Sequence, residues 1–167
     1  MDKKLKVVPL SAEHIDYFFG NLAQVGEQAL KPTLKKSNNQ KLTKISLLRG
    51  KGVAILKDGR VIGGGGMFPH PVEDFGVVWS FISPELKRHK KFLFKTFRQF
   101  LAEFQHALGF DQLQTFVRKG DARDRQFVER LGFEEKDGGE IIEIGGLSYA
   151  VFVKFGGAGI SQPQEIN

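Results

Sequence analysis

The chain has 167 residues, of which 41% are hydrophobic and 26% charged, and it contains no cysteine. This length suits a single domain with a continuous core, and the lack of cysteine excludes disulfides, a thiol nucleophile and cysteine-based zinc sites. No apolar run is long enough for a signal sequence or a membrane span, so we expect a cytoplasmic protein without membrane contact. The net charge of +6 favours anionic partners such as nucleic acid or a phosphorylated cofactor.

The first elements in chain order are a predicted strand and two helices. Residues 5–10 form a short strand, and Ser11 follows as a helix cap because its hydroxyl can accept a bond from a first-turn N–H group. Apolar residues at helical spacing continue this helix until Pro32 ends it. A second helix is predicted over residues 34–48, with apolar residues on one side and lysines on the other.

Three strands are predicted next. Asp58 and Gly59 form the dipeptide typical of a tight hairpin, and apolar strands flank it. The second strand continues through a glycine run at residues 63–66, which lacks the Lys-Ser/Thr pair of a phosphate loop. A bulge or a close approach to a ligand explains this run better. Residues 75–83 are apolar on both faces, which predicts a strand in the middle of the sheet.

The second half begins with a predicted helix start at residues 83–85, where Ser, Pro and Glu follow one another. This long amphipathic helix ends at Gly109. A strand at residues 112–117, a short helix capped by Asp121, and last strands near residues 133–135 and 141–155 complete the predicted domain, residues 1–155. Residues 156–167 form a loose tail by composition.

This order of elements resembles that of the GNAT family of acyl-CoA-dependent N-acyltransferases over residues 5–155. The resemblance is carried by FISPEL, where a strand enters the long helix, by FDQLQTFVRKGD, and by DARDRQFVERLGFEE. It implies an α/β (α+β) fold with a mixed, mostly antiparallel central sheet of six to seven strands and about four flanking helices. It also implies acetyl-CoA as cofactor, an amine acceptor and, as in many members, a homodimer.

The resemblance further implies which residues contact the cofactor. Pantetheine would lie against Phe81, Ile82 and Ser83, and the late helix would contribute Asp121 and Phe127. The pyrophosphate would lie at a loop that is rich in glycine in the family, but here the loop consists of Lys87, Arg88, His89, Lys90 and Lys91. These residues either replace the glycines in holding CoA phosphates, or bind nucleic-acid phosphates, or form a surface cluster without a ligand.

The candidate catalytic residues are few, and no metal site is predicted. The family commonly uses a tyrosine on the late helix as general acid, and the matching residue here is Val128, which cannot donate a proton. Glu73 and His70 lie in the turn before the central strand and are the candidate bases. A solvated turn without catalytic function is the alternative explanation for both residues. Trp79, within the central strand, is predicted to be in the core.

Two functions follow from these residues. The first is an acyl-CoA-dependent N-acyltransferase with a degenerate pyrophosphate loop and an unknown acceptor. The second is a catalytically inactive GNAT-like protein that binds nucleic acid or another protein. The VVWSFISPE stretch and the glycine-free helix start are similar to acetyltransferase-like proteins of short-tailed bacteriophages. That similarity implies DNA or a virion protein as partner, and the host cytoplasm or the virion as location.

Overall fold

The computed structural model describes residues 5–20, 47–144 and 146–156. Eight strands form one sheet in the order β1-β2-β3-β4-β5-β8-β6, and β7 also pairs with β8. The strands are β1 (Leu5–Pro9), β2 (Lys51–Lys57), β3 (Arg60–Pro69), β4 (Gly76–Ile82), β5 (Gln112–Arg118), β6 (Glu134–Glu135), β7 (Ile141–Ile144) and β8 (Leu147–Phe155). The named helices are α1 (Ala12–Gly20), α2 (Lys90–Leu108) and α3 (Ala122–Arg130), and a 3₁₀ turn covers Leu86–Arg88.

The predicted α/β fold with a mostly antiparallel central sheet is confirmed, since β4 and β5 are the single parallel pair among the described strands. One more strand is present than predicted, because the chain reverses at Gly146 and divides the last segment into β7 and β8. The predicted continuation of the first helix beyond Gly20 lies outside the described residues, as do most of the second helix and residues 157–167. None of the described helices is both long and apolar enough to cross a bilayer.

Local sequence signals account for several element ends. Asp58 and Gly59 have φ angles of 51° and 80°, the left-handed conformation that a tight hairpin turn requires. The N–H of His14 donates to the hydroxyl of Ser11 at 3.4 Å, so Ser11 caps α1 as predicted. At the other end of the domain, the carboxylate of Asp121 caps α3.

The glycine run of β3 is a packing feature. A Cβ atom at Gly65 would lie 3.0 Å from the rings of both Phe97 and Phe100 on α2. The pairing of β2 with β3 also shifts register between Ile55 and Leu56, which marks a bulge beside the run. The glycines therefore let the aromatic face of α2 approach the sheet, and the core cluster on this side contains four buried phenylalanines, with five more packed against it.

The predicted helix start at residues 83–85 is corrected by the structure. The hydroxyl of Ser83 accepts from the N–H of Leu86 at 3.1 Å, so it caps the short 3₁₀ turn and not the long helix. Leu86 is fully buried in the core below this turn. The backbone then leaves helical geometry at His89 (φ −102°, ψ 56°), and α2 begins at Lys90. The start signal was correct for one helical turn, but burial of Leu86 sets a separate direction for the long helix.

Candidate functional site

The two parallel strands of the sheet separate from each other after a short paired section. β4 and β5 share two residue pairs, the second of which joins Val77 to Gln114. One residue further on, the Thr115 hydroxyl donates to the carbonyl of Val78 at 3.2 Å. No later pair joins the two strands, so a gap opens toward their carboxyl ends. We call this gap the splay.

The backbone of β4 directs polar groups into the splay. The carbonyl of Val78 faces β5, because it accepts from Thr115 there. Alternate residues of a strand direct their N–H and C=O groups to the same side, so Ser80 and Ile82 also face the gap. Ile82 was predicted as a cofactor contact; its backbone groups face this gap, and its role in cofactor binding stays a prediction. Ser80 was missed, because the side to which a strand residue directs its backbone groups depends on the pairing of neighbouring strands.

The two other predicted pantetheine contacts are engaged in the fold. The N–H of Ser83 donates to the carbonyl of Ile62 in β3 at 3.1 Å, and its hydroxyl caps the 3₁₀ turn. The Phe81 ring is buried and stacks on Trp79 with ring centroids 5.9 Å apart. Trp79 is buried as predicted. Phe81 and Ser83 therefore support the sheet, and their role in cofactor binding stays a prediction.

The segment that stands in place of the glycine-rich loop is closed by its own hydrogen bonds. The N–H groups of Lys87, Arg88 and His89 donate to carbonyls of residues 83, 85 and 86 at 3.1, 3.2 and 2.9 Å. These three N–H groups are consequently not free to bind a phosphate. The helix α2 begins immediately afterwards, and no side chain caps its N-terminus. Its first-turn N–H groups and the helix dipole retain the capacity to bind an anion.

Cations from two segments gather where β4 and β5 end: the 3₁₀ turn with the start of α2, and the turn after β5 with the start of α3. All of them are exposed, and within the described parts of the chain none forms an ion pair. We call this set the cationic mouth: Lys87, Arg88, Lys90, Lys91, Arg118, Lys119 and Arg123. The first four were predicted, whereas the last three were missed because they follow β5 and approach the others only through the parallel pairing. The remaining predicted residue, His89, is half-buried between the 3₁₀ turn and α2.

Several cations elsewhere on the described surface are paired with acids. Lys57 contacts Glu85 at 2.6 Å, and this hydrogen bond lowers the pKa of Glu85. Arg125 contacts Glu129 and Glu135, each at 2.9 Å. The mouth differs from these surfaces because, among the described residues, none of its cations lies within ion-pair distance of a carboxylate.

Two carboxylates border the cationic mouth. The Asp121 carboxylate accepts from the N–H of Asp124 at 3.0 Å, which confirms the predicted cap of α3. Burial raises the pKa of Asp124 to about 6, with a further contribution from the charge of Asp121, and Lys87 acts in the opposite direction. Because Lys87 affects Asp124, the 3₁₀ turn and the start of α3 lie close together.

The predicted catalytic residues lie at the other end of β4, about 20 Å away along a seven-residue strand. The Nδ1 atom of His70 accepts from the N–H groups of Val72 and Glu73 at 3.2 and 2.9 Å, and its ring packs on Phe75. Because Nδ1 accepts these bonds, a neutral His70 carries its proton on Nε2. The Nε2 atom then has no free lone pair with which to act as a base. Glu73 is exposed on the same turn. The geometry favours a structural role for His70, and the catalytic roles of both residues stay predictions.

The short helix α3 contributes packing. Phe127 meets the rings of Phe94 and Phe97 edge-on at 6.4 and 5.6 Å, so this predicted cofactor contact lies in the interface with α2. Val128 is buried in the same core. Buried polar atoms without a partner among the described residues are Trp79 Nε1 on β4 and the hydroxyl of Tyr149 on β8. The described residues contain no cluster of three His, Asp or Glu that could hold a metal ion.

Solved structures resemble this fold along nearly the whole chain. A GnaT-family acetyltransferase from Bordetella pertussis is 12% identical, with a TM-score of 0.68 and coverage of 92% of this chain and 97% of its own. A ribosomal-protein-S5-alanine acetyltransferase from Vibrio fischeri is 11% identical, with a TM-score of 0.69 and coverage of 96% and 97%. A mutant spermidine N-acetyltransferase from Vibrio cholerae is 12% identical, with a TM-score of 0.68 and coverage of 96% and 99%.

No family model matches the chain, and no curated protein matches its sequence. The structural likeness nevertheless covers 92–96% of this chain and 97–99% of each similar structure. The chain therefore has the GNAT fold.

Proposed function

We propose that this protein binds acyl-CoA in the splay and transfers the acyl group, acetyl in the simplest case, to an amine. The supporting observation is that three features coincide at one end of the sheet: separated parallel strands, the uncapped start of α2 and the unpaired cations of the mouth. An extended ligand with amide groups can bind between the separated strands. Phosphate groups can bind at the start of α2 and at the cations of the mouth. The similar structures named above are acetyltransferases by description.

The groups around the splay fit the parts of this cofactor. The N–H and C=O groups of Ser80 and Ile82 would bind the amides of pantetheine. The first-turn N–H groups of α2 and the side chains of the mouth would bind the phosphates. The amides of residues 87–89 would not contribute, because the 3₁₀ turn uses them. Charge would thus replace the glycine nest that the family uses.

The chemistry of this proposal relies on positioning. Bound acyl-CoA would supply an activated thioester carbonyl, and the chain would hold it while an amine approaches. Alignment of two reactants can remove several kcal/mol from a barrier without a dedicated acid. Val128 provides no proton donor at the family's tyrosine position, so the departing thiolate would take its proton from water. Glu73 remains the candidate base for the amine, since Nδ1 of His70 is occupied.

The test is isothermal titration with acetyl-CoA at low and moderate salt. We expect saturable binding that survives moderate salt, and a loss of at least about tenfold in affinity for the double variant R88E/K90E. The control is K51E, which makes a charge reversal at the exposed start of β2, two strands from β4. We expect it to stay within about twofold of wild type because solvent and salt screen a distant charge.

Absence of binding, or equal weakening by K51E, contradicts the proposal. If acetyl-CoA binds, transfer is measured as release of free CoA thiol when a polyamine or a peptide amine is added. Thiol release that requires the amine supports N-acyl transfer. Binding of acetyl-CoA without thiol release in the presence of either acceptor would favour a non-catalytic protein.

A second candidate function is binding of nucleic acid through the cationic mouth without catalysis. The closed 3₁₀ turn and the buried Val128 favour it, because both remove features on which the enzymes rely. A labelled DNA duplex titrated by fluorescence anisotropy over a range of salt tests this function. The salt slope should fall by about 0.9 for each phosphate contact removed in R88E/K90E. DNA binding without acetyl-CoA binding would replace the first proposal with this one.

A further inference from the structure

The turn between β5 and α3 is a rigid platform for three cations. The N–H of Lys119 donates to the carbonyl of Ser148 at 3.0 Å, which ties the turn to β8. The N–H of Asp121 donates to the carbonyl of Arg118 at 3.1 Å, and Gly120 between them has a φ of 90° that closes the turn. The Asp121 carboxylate then caps α3. The backbone that carries these cations is therefore fixed at both ends.

This turn also carries positive charge beside a shallow, open surface depression. Residues 118–123 line a surface depression of about 430 Å³. Arg118, Lys119 and Arg123 are exposed at its border and form no ion pair among the described residues. Two residues after Arg123, the guanidinium of Arg125 has two carboxylate partners. Asp121 also lines the depression, so its three cations exceed the single carboxylate there by two charges.

The mouth therefore has two groups of cations, one on the 3₁₀ turn and the first residues of α2, and one on this turn. A ligand with a single phosphate could occupy one group, whereas a ligand with phosphates at two places could occupy both. Coenzyme A has this arrangement, since it carries a pyrophosphate in its chain and a separate phosphomonoester on the 3′ carbon of its ribose. A phosphomonoester has up to two negative charges and three acceptor oxygens, which suits several cationic donors.

We infer that Arg118, Lys119 and Arg123 form a second phosphate site that binds the 3′-phosphate of acyl-CoA. The protein then selects full acyl-CoA over the dephospho form, while the 3₁₀ turn and the start of α2 bind the pyrophosphate that both forms share. This inference rests on the function proposed above. It adds discrimination between acyl-CoA and its dephospho form, which contacts to the shared pyrophosphate cannot supply.

The experiment compares acetyl-CoA with 3′-dephospho-acetyl-CoA by isothermal titration on the full chain. We expect the wild type to prefer acetyl-CoA by about tenfold or more, as charge-assisted bonds to one phosphate would produce. In the double variant K119Q/R123Q, acetyl-CoA should bind only as tightly as the dephospho form, whose own affinity should not change. Both side chains are exposed, and circular dichroism verifies that the variant folds.

The matched control is Arg125→Gln, which removes one positive charge from the same helix at a paired position and should keep the preference. Equal wild-type affinity for the two ligands overturns the inference and leaves the proposed function intact. Equal weakening of both ligands in K119Q/R123Q also overturns it, because the cations would then act as a general positive field. If the wild type binds neither ligand, the proposed function fails, and this site fails with it.

Discussion

The two ends of β4 carry the two sets of candidate site residues, and these sets differ in how many of their polar groups already have a partner. At the amino end, Nδ1 of His70 accepts two backbone N–H groups and its ring packs on Phe75. At the carboxyl end, the strands separate, α2 starts without a cap and seven cations have no ion-pair partner among the described residues. Reactive residue types occur at both ends, but unsatisfied binding capacity is concentrated at the second.

The largest expected difference between the two ends concerns stability. Leu86→Ala removes a fully buried side chain from beneath the 3₁₀ turn, and we expect a loss of about 2–5 kcal/mol in the free energy of unfolding. Val72→Ala, at the opposite end, changes a side chain that is 87% exposed and should cost less than about 0.5 kcal/mol. Urea denaturation of both variants measures the difference. Similar losses would contradict the described burial of the turn.

A smaller effect is expected from Asp124, the half-buried carboxyl at the mouth. Its folded-state pKa of about 6 lies above the unfolded value of 3.8, so its protonation favours folding at low pH and this contribution disappears as pH rises through 6. Asp124→Asn should therefore gain stability over wild type above pH 6, by about 1–2 kcal/mol once solvent screening is allowed for. Thermal unfolding at several pH values tests the sign. A gain confined to acidic pH would refute it.

The same variant tests the electrostatics of the cationic mouth. Removing the negative charge of Asp124 beside Lys87 should tighten acetyl-CoA binding at neutral pH by about two- to fivefold, because a carboxylate there repels phosphates. Titration of acetyl-CoA into Asp124→Asn at neutral pH measures this gain. Weaker binding would mean that Asp124 itself contacts the ligand or holds Lys87 in place.

A stability effect smaller than that of Leu86→Ala is expected at His70. His70→Ala removes an acceptor for two N–H groups on an exposed turn, and we expect a loss of about 1 kcal/mol in unfolding free energy. His70→Asn, whose side-chain oxygen can accept from the same turn, should recover part of it. If His70 is instead a catalytic base, His70→Ala would retain full stability while amine-dependent thiol release falls, and Asn would not restore that activity.

Much of the fold could be predicted because its signals are local. The hairpin at Asp58 and Gly59, the cap at Asp121 and the end of α2 at Gly109 each depend on the conformation of one or two residues. The central position of β4 followed from its two apolar faces. Such features need no knowledge of distant parts of the chain.

The site was harder to predict because it depends on tertiary placement. A cap signal at Ser83 looks the same for a 3₁₀ turn as for a long helix, and only the burial of Leu86 separates them. The cations at Arg118 and Lys119 are about thirty residues from Lys87 in the sequence and join it through the parallel pairing of β4 with β5. The direction of the Ser80 backbone likewise follows from strand pairing.

The most direct test of the central claim is an assigned amide spectrum of the protein titrated with acetyl-CoA. Binding in the splay predicts shifts at Ser80, at Ile82 and in residues 90–92, with little change in residues 72–75 at the other end of β4. Saturable shifts confined to residues 72–75, or saturable binding without any change at Ser80 and Ile82, would contradict the assignment of the splay as the cofactor site.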